Sequence, residues 1–133
     1  MSEWWQWSSK RLGDDLGFAV VGVGRFGTAV CRELLRNGAD VLAVDFSEKA
    51  IEELRQLEPS IEARVVDSTD EESMREAGVL DMGTVVVGIS EPIEASITTT
   101  LIAKDTDGSL VKQVIARATS DLHEKMLKRV GAD

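Results

Sequence analysis

Short, mostly apolar runs alternate five times with segments of helical periodicity between residues 17 and 133. The apolar runs read GFAVVG, ADVLAVD, EARVVD, TVVVGIS and SLVKQVIARA, and such runs are typical of strands buried on both faces of a parallel sheet. Right-handed crossovers then predict an α/β fold, a Rossmann-like doubly wound parallel sheet with strand order 3-2-1-4-5. The sequence stops at VGAD, where a sixth strand is expected to begin, so we expect a piece of a longer chain.

Residues that favour helix termini mark the ends of the helical segments. Gly38 is predicted to end the first helix, and Ser47 is the predicted N-cap of the second. Thr69 and Glu72 have the spacing of a capping box, which predicts that the third helix begins at Thr69. Pro92 lies near the first turn of the fourth helix.

The last helical segment reads SDLHEKMLKRV. Its periodicity favours Leu122, Met126 and either Leu127 or Val130 on the inner side of the helix. His123 is the single histidine of the chain and lies among charged residues, so we expect it at the surface.

With 133 residues, the chain is long enough for one domain with a substantial core and too short for two. We expect a tryptophan-rich leader at 1–16 and one folded domain at 17–133. The leader contains all three tryptophans. It is either an extension without a role in the fold or an aromatic docking segment for a membrane surface or a partner.

A formal net charge of −9 argues against nucleic acid as a partner, because an acidic chain repels the phosphate backbone. No apolar stretch reaches the roughly 18–20 residues of a membrane span, and no secretory signal precedes the first strand. The single cysteine, Cys31, excludes an internal disulfide and is expected to be a buried structural thiol. These features predict a cytoplasmic protein.

Three glycines with the spacing G-x-G-x-x-G follow the first predicted strand. In this position Gly22 permits a tight turn, Gly24 lets a phosphate approach the backbone, and Gly27 lets the helix pack closely on the strand. The free amide groups and the dipole of the helix N-terminus then form an anion site. The spacing alone is weak evidence, but its position between a strand and a helix favours a nucleotide site over a purely structural turn.

A carboxylate ends the second predicted strand. Asp45 lies 18 positions beyond Gly27, where it can accept hydrogen bonds from both ribose hydroxyls and would repel a 2′-phosphate. It therefore favours NAD or plain adenine nucleotides over NADP. Asp67, Ser68 and Thr69 follow the third strand, where they would either contact adenine or simply cap the third helix.

Two arginines lie at the same edge of the predicted sheet. Arg25 is within the glycine loop and Arg117 is at the end of the fifth predicted strand. A guanidinium group can bind phosphate bidentately, so this pair favours a ligand with two or three phosphates, although a solvated surface role would also fit either side chain.

The sequence contains no P-loop and no cluster of His and Cys residues with metal-ligand spacing. We find no acid–base pair either, which predicts that the nucleotide is bound and not consumed and that the protein is not an enzyme. The alternative is the cofactor-binding half of an NAD-dependent oxidoreductase. Binding of S-adenosylmethionine would use the glycine loop and Asp45 but would leave Arg25 and Arg117 without a role.

The residues resemble a known family. The stretches FAVVGVGRFGTAVCRELLRNGADVLAVD, VVDSTDEESMREAGV, VVVGISEPIEASITTTLIAK and HEKMLKRVGAD occur in order, and together they resemble the RCK N-terminal (KTN/TrkA-N) nucleotide-binding domain of KtrA/TrkA-type potassium-uptake regulatory subunits. The likeness runs from Gly17 to Asp133. Family members continue into a linker and a C-terminal lobe that are not part of this sequence.

The resemblance implies a cytoplasmic regulatory subunit at the inner face of the cell membrane. Its partner would be a membrane potassium-translocating subunit of the KtrB/TrkH kind, and it would assemble as a homodimer and, at full length, as an octameric ring. ATP/ADP or NAD(H) would be the regulatory ligand. Arg25 would reach the terminal phosphate, even that of the neighbouring subunit's nucleotide, with Arg117 near the phosphates. The predicted nucleotide-binding residues are Gly22, Val23, Gly24, Arg25, Phe26, Gly27, Asp45, Phe46, Ser47, Asp67, Ser68, Thr69, Ile89 and Arg117.

Overall fold

A computed structural model of the chain describes residues 17–133, and the predicted tryptophan-rich leader lies outside the described residues. Five parallel strands form one sheet in the order β3-β2-β1-β4-β5, which confirms the predicted Rossmann-like fold. The strands are β1 (Phe18–Val21), β2 (Val41–Asp45), β3 (Glu62–Val65), β4 (Thr84–Val87) and β5 (Gln113–Ala116). The α-helices are α1 (Arg25–Arg36), α2 (Glu48–Leu57), α3 (Glu71–Ala77), α4 (Ile93–Asp105) and α5 (Asp121–Arg129), with a 3-10 turn at Val79–Asp81. Within the described residues, no helix has the length and apolar character needed to cross a membrane.

Apolar side chains cover both faces of the sheet. Successive residues of a strand point to opposite faces, so Val20 of β1 lies in one apolar layer and Val21 in the other. The first layer includes Leu34 of α1 and Ile51 of α2. The second includes Met74 of α3. Because helices cover both faces, the central strands are buried along their whole length, as the apolar runs predict.

The carboxyl ends of the strands lie along one edge of the sheet. β1 is central, and Val21 pairs with Val44 of β2 on one side and with Val87 of β4 on the other. From β1 the chain runs outward to β2 and β3 and then crosses back to β4. In sheets of this kind, ligands bind in the crevice at that reversal, outside the carboxyl ends of the strands.

The caps of two helices test the predicted boundaries. The Ser47 hydroxyl accepts a hydrogen bond from the Ala50 amide over 3.1 Å, which confirms Ser47 as the N-cap of α2. The predicted cap at Thr69 is wrong, because Asp70 caps α3 and accepts from the Ser73 amide over 3.1 Å. The hydroxyl and the amide of Thr69 instead donate to the Asp67 carboxylate.

The inner face of α5 agrees with the prediction at Leu127 and differs from it at Leu122 and Met126. His123 and Leu127 are buried, with 0% and 2% of their surface exposed, whereas Leu122 is 67% and Met126 40% exposed. Both pairs have i, i+4 spacing, so periodicity alone does not choose between the two faces. The structure selects the face on which the ring nitrogens of His123 find hydrogen-bonding partners, and the predicted surface position of His123 is wrong.

Cys31 is fully buried within α1, as predicted. Burial raises the pKa of its thiol to about 12, with a smaller contribution from the negative charge of Glu58. The thiolate is the reactive form, so at pH 8 the folded protein is expected not to react with iodoacetamide over hours. Mass spectrometry measures the modification. The same protein in guanidinium chloride should react readily, and rapid modification of the folded form would contradict the burial of Cys31.

Candidate nucleotide-binding site

β1 ends in a tight turn at Gly22, whose φ of +93° lies in the left-handed region. A side chain is also excluded by packing, because a Cβ at this position would lie 3.1 Å from the amide nitrogen of Ile89. The Gly22 amide donates to the carbonyl oxygen of Val44 over 2.8 Å and so holds the turn to the sheet. Glycine is the residue that combines this conformation with such close packing.

The first turn of α1 packs against Gly22 with backbone in direct contact. A Cβ on Gly27 would overlap the carbonyl oxygen of Gly22. A Cβ on Gly88, which follows β4, would lie 3.0 Å from the same oxygen. We call Gly22, Gly27 and Gly88 the glycine cluster. It brings the N-terminus of α1 to the crevice between β1 and β4.

Gly24 is the N-cap of α1 and has extended backbone angles, with φ −73° and ψ −150°. Glycine has no side chain that could accept from the first-turn amides, so these amides have no side-chain cap. Apart from Gly24 and its two chain neighbours, no described residue has an atom within 4 Å of the position that a Cβ on Gly24 would take. Open space in front of uncapped amides at the positive end of a helix suits an anion such as phosphate.

The carboxylate of Asp45 lies at the end of β2, beside the glycine loop. Its Oδ2 accepts from the Val23 amide over 2.8 Å, and its Oδ1 accepts from the Ser47 amide over 2.7 Å. The Val23 carbonyl oxygen in turn accepts from the Thr28 hydroxyl over 2.9 Å, so both backbone polar groups of Val23 are used within the protein. Each carboxylate oxygen has a second lone pair, and Asp45 can therefore still accept hydrogen bonds from ribose hydroxyls.

Asp67 and Thr69 form a local turn after β3. Asp67 Oδ1 accepts from the Thr69 hydroxyl over 2.6 Å and from the Thr69 amide over 3.0 Å. The bond from the Thr69 hydroxyl contributes most, and the bond from the amide contributes less, to holding the pKa of Asp67 below its usual value. The side chain is therefore ionised at neutral pH. Ser68, between them, is buried, and its hydroxyl lies 2.7 Å from that of Thr99 in α4.

These segments surround a cleft of about 570 Å³ at the carboxyl edge of the sheet. Eight of the predicted site residues line it: Gly22, Gly24, Asp45, Phe46, Asp67, Ser68, Thr69 and Ile89. Six others do not: Val23, Arg25, Phe26, Gly27, Ser47 and Arg117. Of these six, Val23, Gly27 and Ser47 contact residues that line the cleft.

Part of the cleft wall was not predicted from the sequence. The connection from β4 to α4 contributes Gly88, Ser90, Glu91 and Pro92, with Ala95 from the first turn of α4 and Val21 from β1. The signal for this wall is the strand order, because order 3-2-1-4-5 places the carboxyl end of β4 beside that of β1.

The two arginines lie beside the glycine loop and outside the cleft wall. The Arg117 guanidinium carbon lies 5.4 Å from the ring centroid of Phe26 in the first turn of α1, within range of a cation–π contact. The Arg117 amide donates to the carbonyl oxygen of Val87 over 3.0 Å. Arg25 is exposed, and its side chain makes no hydrogen bond or ion pair with the residues that the structure describes.

A family model described as the TrkA-N domain matches residues 18–133. The chain belongs to the TrkA-N domain family. This confirms the resemblance that the sequence motifs carry. This TrkA-N domain is 40% identical over 116 residues to the Ktr system potassium uptake protein C of Bacillus subtilis (strain 168), a match that covers 87% of this chain and 50% of the relative. It is also 40% identical over 119 residues to the Ktr system potassium uptake protein A of Vibrio alginolyticus, covering 90% of this chain and 52% of the relative.

The chain thus spans about half the length of these curated relatives. Among solved structures, the GsuK channel bound to NAD matches the TrkA-N domain with a TM-score of 0.73 at 18% identity, covering 95% of this chain and 24% of that chain. GsuK has also been solved bound to ADP. At this identity the likeness shows the fold alone, and the yeast methylglyoxal/isovaleraldehyde reductase Gre2, solved in complex with NADPH, shares that fold as well.

Proposed function

We propose that this TrkA-N domain is the nucleotide-sensing part of a cytoplasmic regulatory subunit of a potassium transport system. ATP/ADP or NAD(H) would bind in the cleft, and the bound nucleotide would gate a membrane potassium-translocating subunit of the KtrB/TrkH kind. The observation that carries this proposal is the open space in front of the uncapped α1 amides at Gly24, in the same cleft as the Asp45 carboxylate. The identity to Ktr potassium uptake proteins supports the transport system.

The positions of the side chains support a particular orientation of the nucleotide. Phosphates would lie against the Gly24 loop at the positive end of α1, and the ribose hydroxyls would donate to Asp45. The base would lie towards Asp67 and Thr69, with Phe46, which is 76% exposed and lines the cleft, available to stack on it.

The discriminating experiment is isothermal titration calorimetry with ATP, ADP, NAD⁺ and NADH in parallel. Binding of at least one of these with micromolar affinity is expected. Absence of binding for all four at millimolar concentration would reject the proposed function.

Arg25 is proposed to distinguish ATP from ADP, because its exposed side chain adjoins the glycine loop. It makes no hydrogen bond or ion pair with the described residues, so binding a phosphate would break none. Arg25→Ala is expected to weaken ATP binding about tenfold, the loss of one charge-assisted hydrogen bond, and to leave AMP binding nearly unchanged. Calorimetric titration with ATP, ADP and AMP measures the difference. Arg36→Ala, at the opposite end of α1 and paired with Glu33, is the control for the lost charge. Equal losses for the three nucleotides would contradict this role.

Exposed apolar side chains on α4 and α5 support assembly as a homodimer and, for the full-length protein, as a ring. Ile93 and Leu101 on α4 are 37% and 43% exposed, and they lie in one stripe at i, i+8 spacing. Leu122 and Met126 on α5 are exposed at i, i+4 spacing. Exposed apolar side chains on these two helices would suit contact with a second copy of the chain.

The alternative function is the cofactor-binding half of an NAD-dependent oxidoreductase, with which the fold shared with a reductase is compatible. The cleft is lined by no histidine, lysine, tyrosine or cysteine of the described chain, and no three His, Cys, Asp or Glu side chains within 17–133 are arranged to hold a metal ion. Incubation with NADH and carbonyl substrates tests this alternative, and NADH oxidation above the rate without protein would favour it.

A further inference from the structure

Helix α4 buries polar side chains. Ser96, Thr99 and Thr100 are all 0% exposed, and buried hydroxyl groups require hydrogen-bonding partners. Thr100 finds one within the helix, because its hydroxyl donates to the carbonyl oxygen of Ser96 over 3.0 Å. The hydroxyl groups of Ser96 and Thr99 bond to residues outside α4.

The Thr99 hydroxyl bonds to the segment after β3. It lies 2.7 Å from the Ser68 hydroxyl and also donates to the Ser68 carbonyl oxygen over 3.2 Å. Ser68 lines the cleft. This pair therefore connects α4 to the part of the cleft proposed to hold the base.

The Ser96 hydroxyl bonds to α5, where it lies 3.0 Å from Nε2 of the buried His123. The other ring nitrogen, Nδ1, accepts from the Thr119 amide over 3.1 Å, and the Thr119 hydroxyl lies 3.2 Å from it. A backbone amide can only donate, so Nδ1 carries no proton. The neutral ring then has its proton on Nε2 and donates to Ser96.

His123 thus connects α4 with residues 117–120, the segment between β5 and α5. A second hydrogen bond joins His123 to this segment, because the His123 amide donates to the Ser120 hydroxyl over 3.1 Å. Arg117, at its start, has its amide on the Val87 carbonyl oxygen and its guanidinium over the ring of Phe26. The bond at Thr119 fixes the chain two residues beyond that arginine.

We propose that His123 is a positioning residue for nucleotide binding. It fixes residues 117–120 through Thr119, so that Arg117 lies beside the first turn of α1 and can contact the phosphates of a bound nucleotide. The inference rests on the proposed function, since it assigns Arg117 to the phosphates of that nucleotide. The sequence does not reveal this role, because the bond to Ser96 joins residues 27 positions apart in the chain.

Two variants separate the two bonds of the imidazole ring. In His123→Asn the side-chain oxygen can take the place of Nδ1 and still accept from Thr119, whereas in His123→Gln the longer side chain reaches the place of Nε2 and keeps only Ser96. We expect His123→Gln to weaken ADP binding about tenfold, the effect of one lost bond to a charged group, and His123→Asn to change it less than about twofold. Adenosine, which has no phosphate, should bind all three proteins equally.

A double-mutant cycle with Arg117→Ala distinguishes positioning from general destabilisation. In the Arg117→Ala protein, His123→Gln should have no further effect on ADP binding, because both changes remove the proposed contact between Arg117 and the phosphates. Equal losses of ADP affinity in the Gln and Asn variants, or a parallel loss for adenosine, would overturn the inference. Wild-type protein that binds none of the four nucleotides above would reject the proposed function itself, whereas wild-type binding with unaffected variants would reject only the role of His123.

A spectroscopic measurement on the wild-type protein keeps the inference testable if a variant fails to fold. The ¹⁵N chemical shifts of the imidazole should show an unprotonated Nδ1 and a protonated Nε2, and the Thr119 amide should be protected from hydrogen exchange. A proton on Nδ1, or a Thr119 amide that exchanges as fast as an unfolded peptide, would overturn the proposed bond.

Discussion

Gly24→Ala is expected to weaken the binding of ATP, ADP and NADH about a hundredfold, through lost phosphate-to-amide hydrogen bonds of about 1.5–3 kcal/mol each. Its melting temperature should change by less than about 2 °C. Gly24 has extended backbone angles that alanine can adopt, and the added methyl group meets no described residue within 4 Å other than its chain neighbours. The methyl group would instead occupy the space through which a phosphate approaches the α1 amides. Calorimetric titration and thermal unfolding measure the two quantities.

Gly27→Ala is the matched control, with the same added methyl group three residues further along the chain. Here the methyl group would overlap the Gly22 carbonyl oxygen, so stability should fall by about 3 kcal/mol or more. Unimpaired nucleotide binding by Gly24→Ala would place the phosphates elsewhere on the molecule.

Asp45→Asn is expected to weaken the binding of ATP, ADP and NADH roughly 10- to 100-fold and to reduce the preference for NADH over NADPH. The carboxylate provides charged acceptors for the ribose hydroxyls, each worth about 1.5–3 kcal/mol, and it repels a 2′-phosphate. The asparagine amide would also have to oppose the amide hydrogen of either Val23 or Ser47, both of which now donate to Asp45. Some loss of stability should therefore accompany the loss of affinity.

The control for this variant is Asp40→Asn, which makes the same change at an exposed residue just before β2, on the opposite edge of the sheet. Its titrations with NADH and NADPH should match those of the wild type. An Asp45→Asn protein that still rejects NADPH as strongly as the wild type does would show that another group excludes the 2′-phosphate.

The sequence predicts the fold because mostly apolar runs alternate with helical segments and the connections between them are short. Alternation then determines the strand order, and the position of Asp45 beside the glycine loop follows because parallel strands end at one edge. The predicted cap of α3 is wrong because Thr69 and Asp70 both have side chains that suit an N-cap. The choice depends on Thr69 being bonded to Asp67, a local contact that the spacing does not reveal.

His123 shows why tertiary contacts limit such predictions. Ser96, its partner, lies 27 residues earlier in the chain, and no periodicity of α5 reports on it. Charged neighbours in the sequence predict a surface position for the histidine, and only the partners of its two ring nitrogens explain why it is buried. The cleft wall at Ser90–Pro92 is a similar case, since it has no motif and depends on how the chain leaves β4.

The glycine cluster has a consequence for how a nucleotide signal can arise. Because three backbone segments touch without intervening side chains, the loop proposed to hold the first phosphates is closely packed, and ATP and ADP would meet it in the same shape. The response to the number of phosphates must then come from long side chains at its rim, such as Arg25 and Arg117, and not from refolding of the loop.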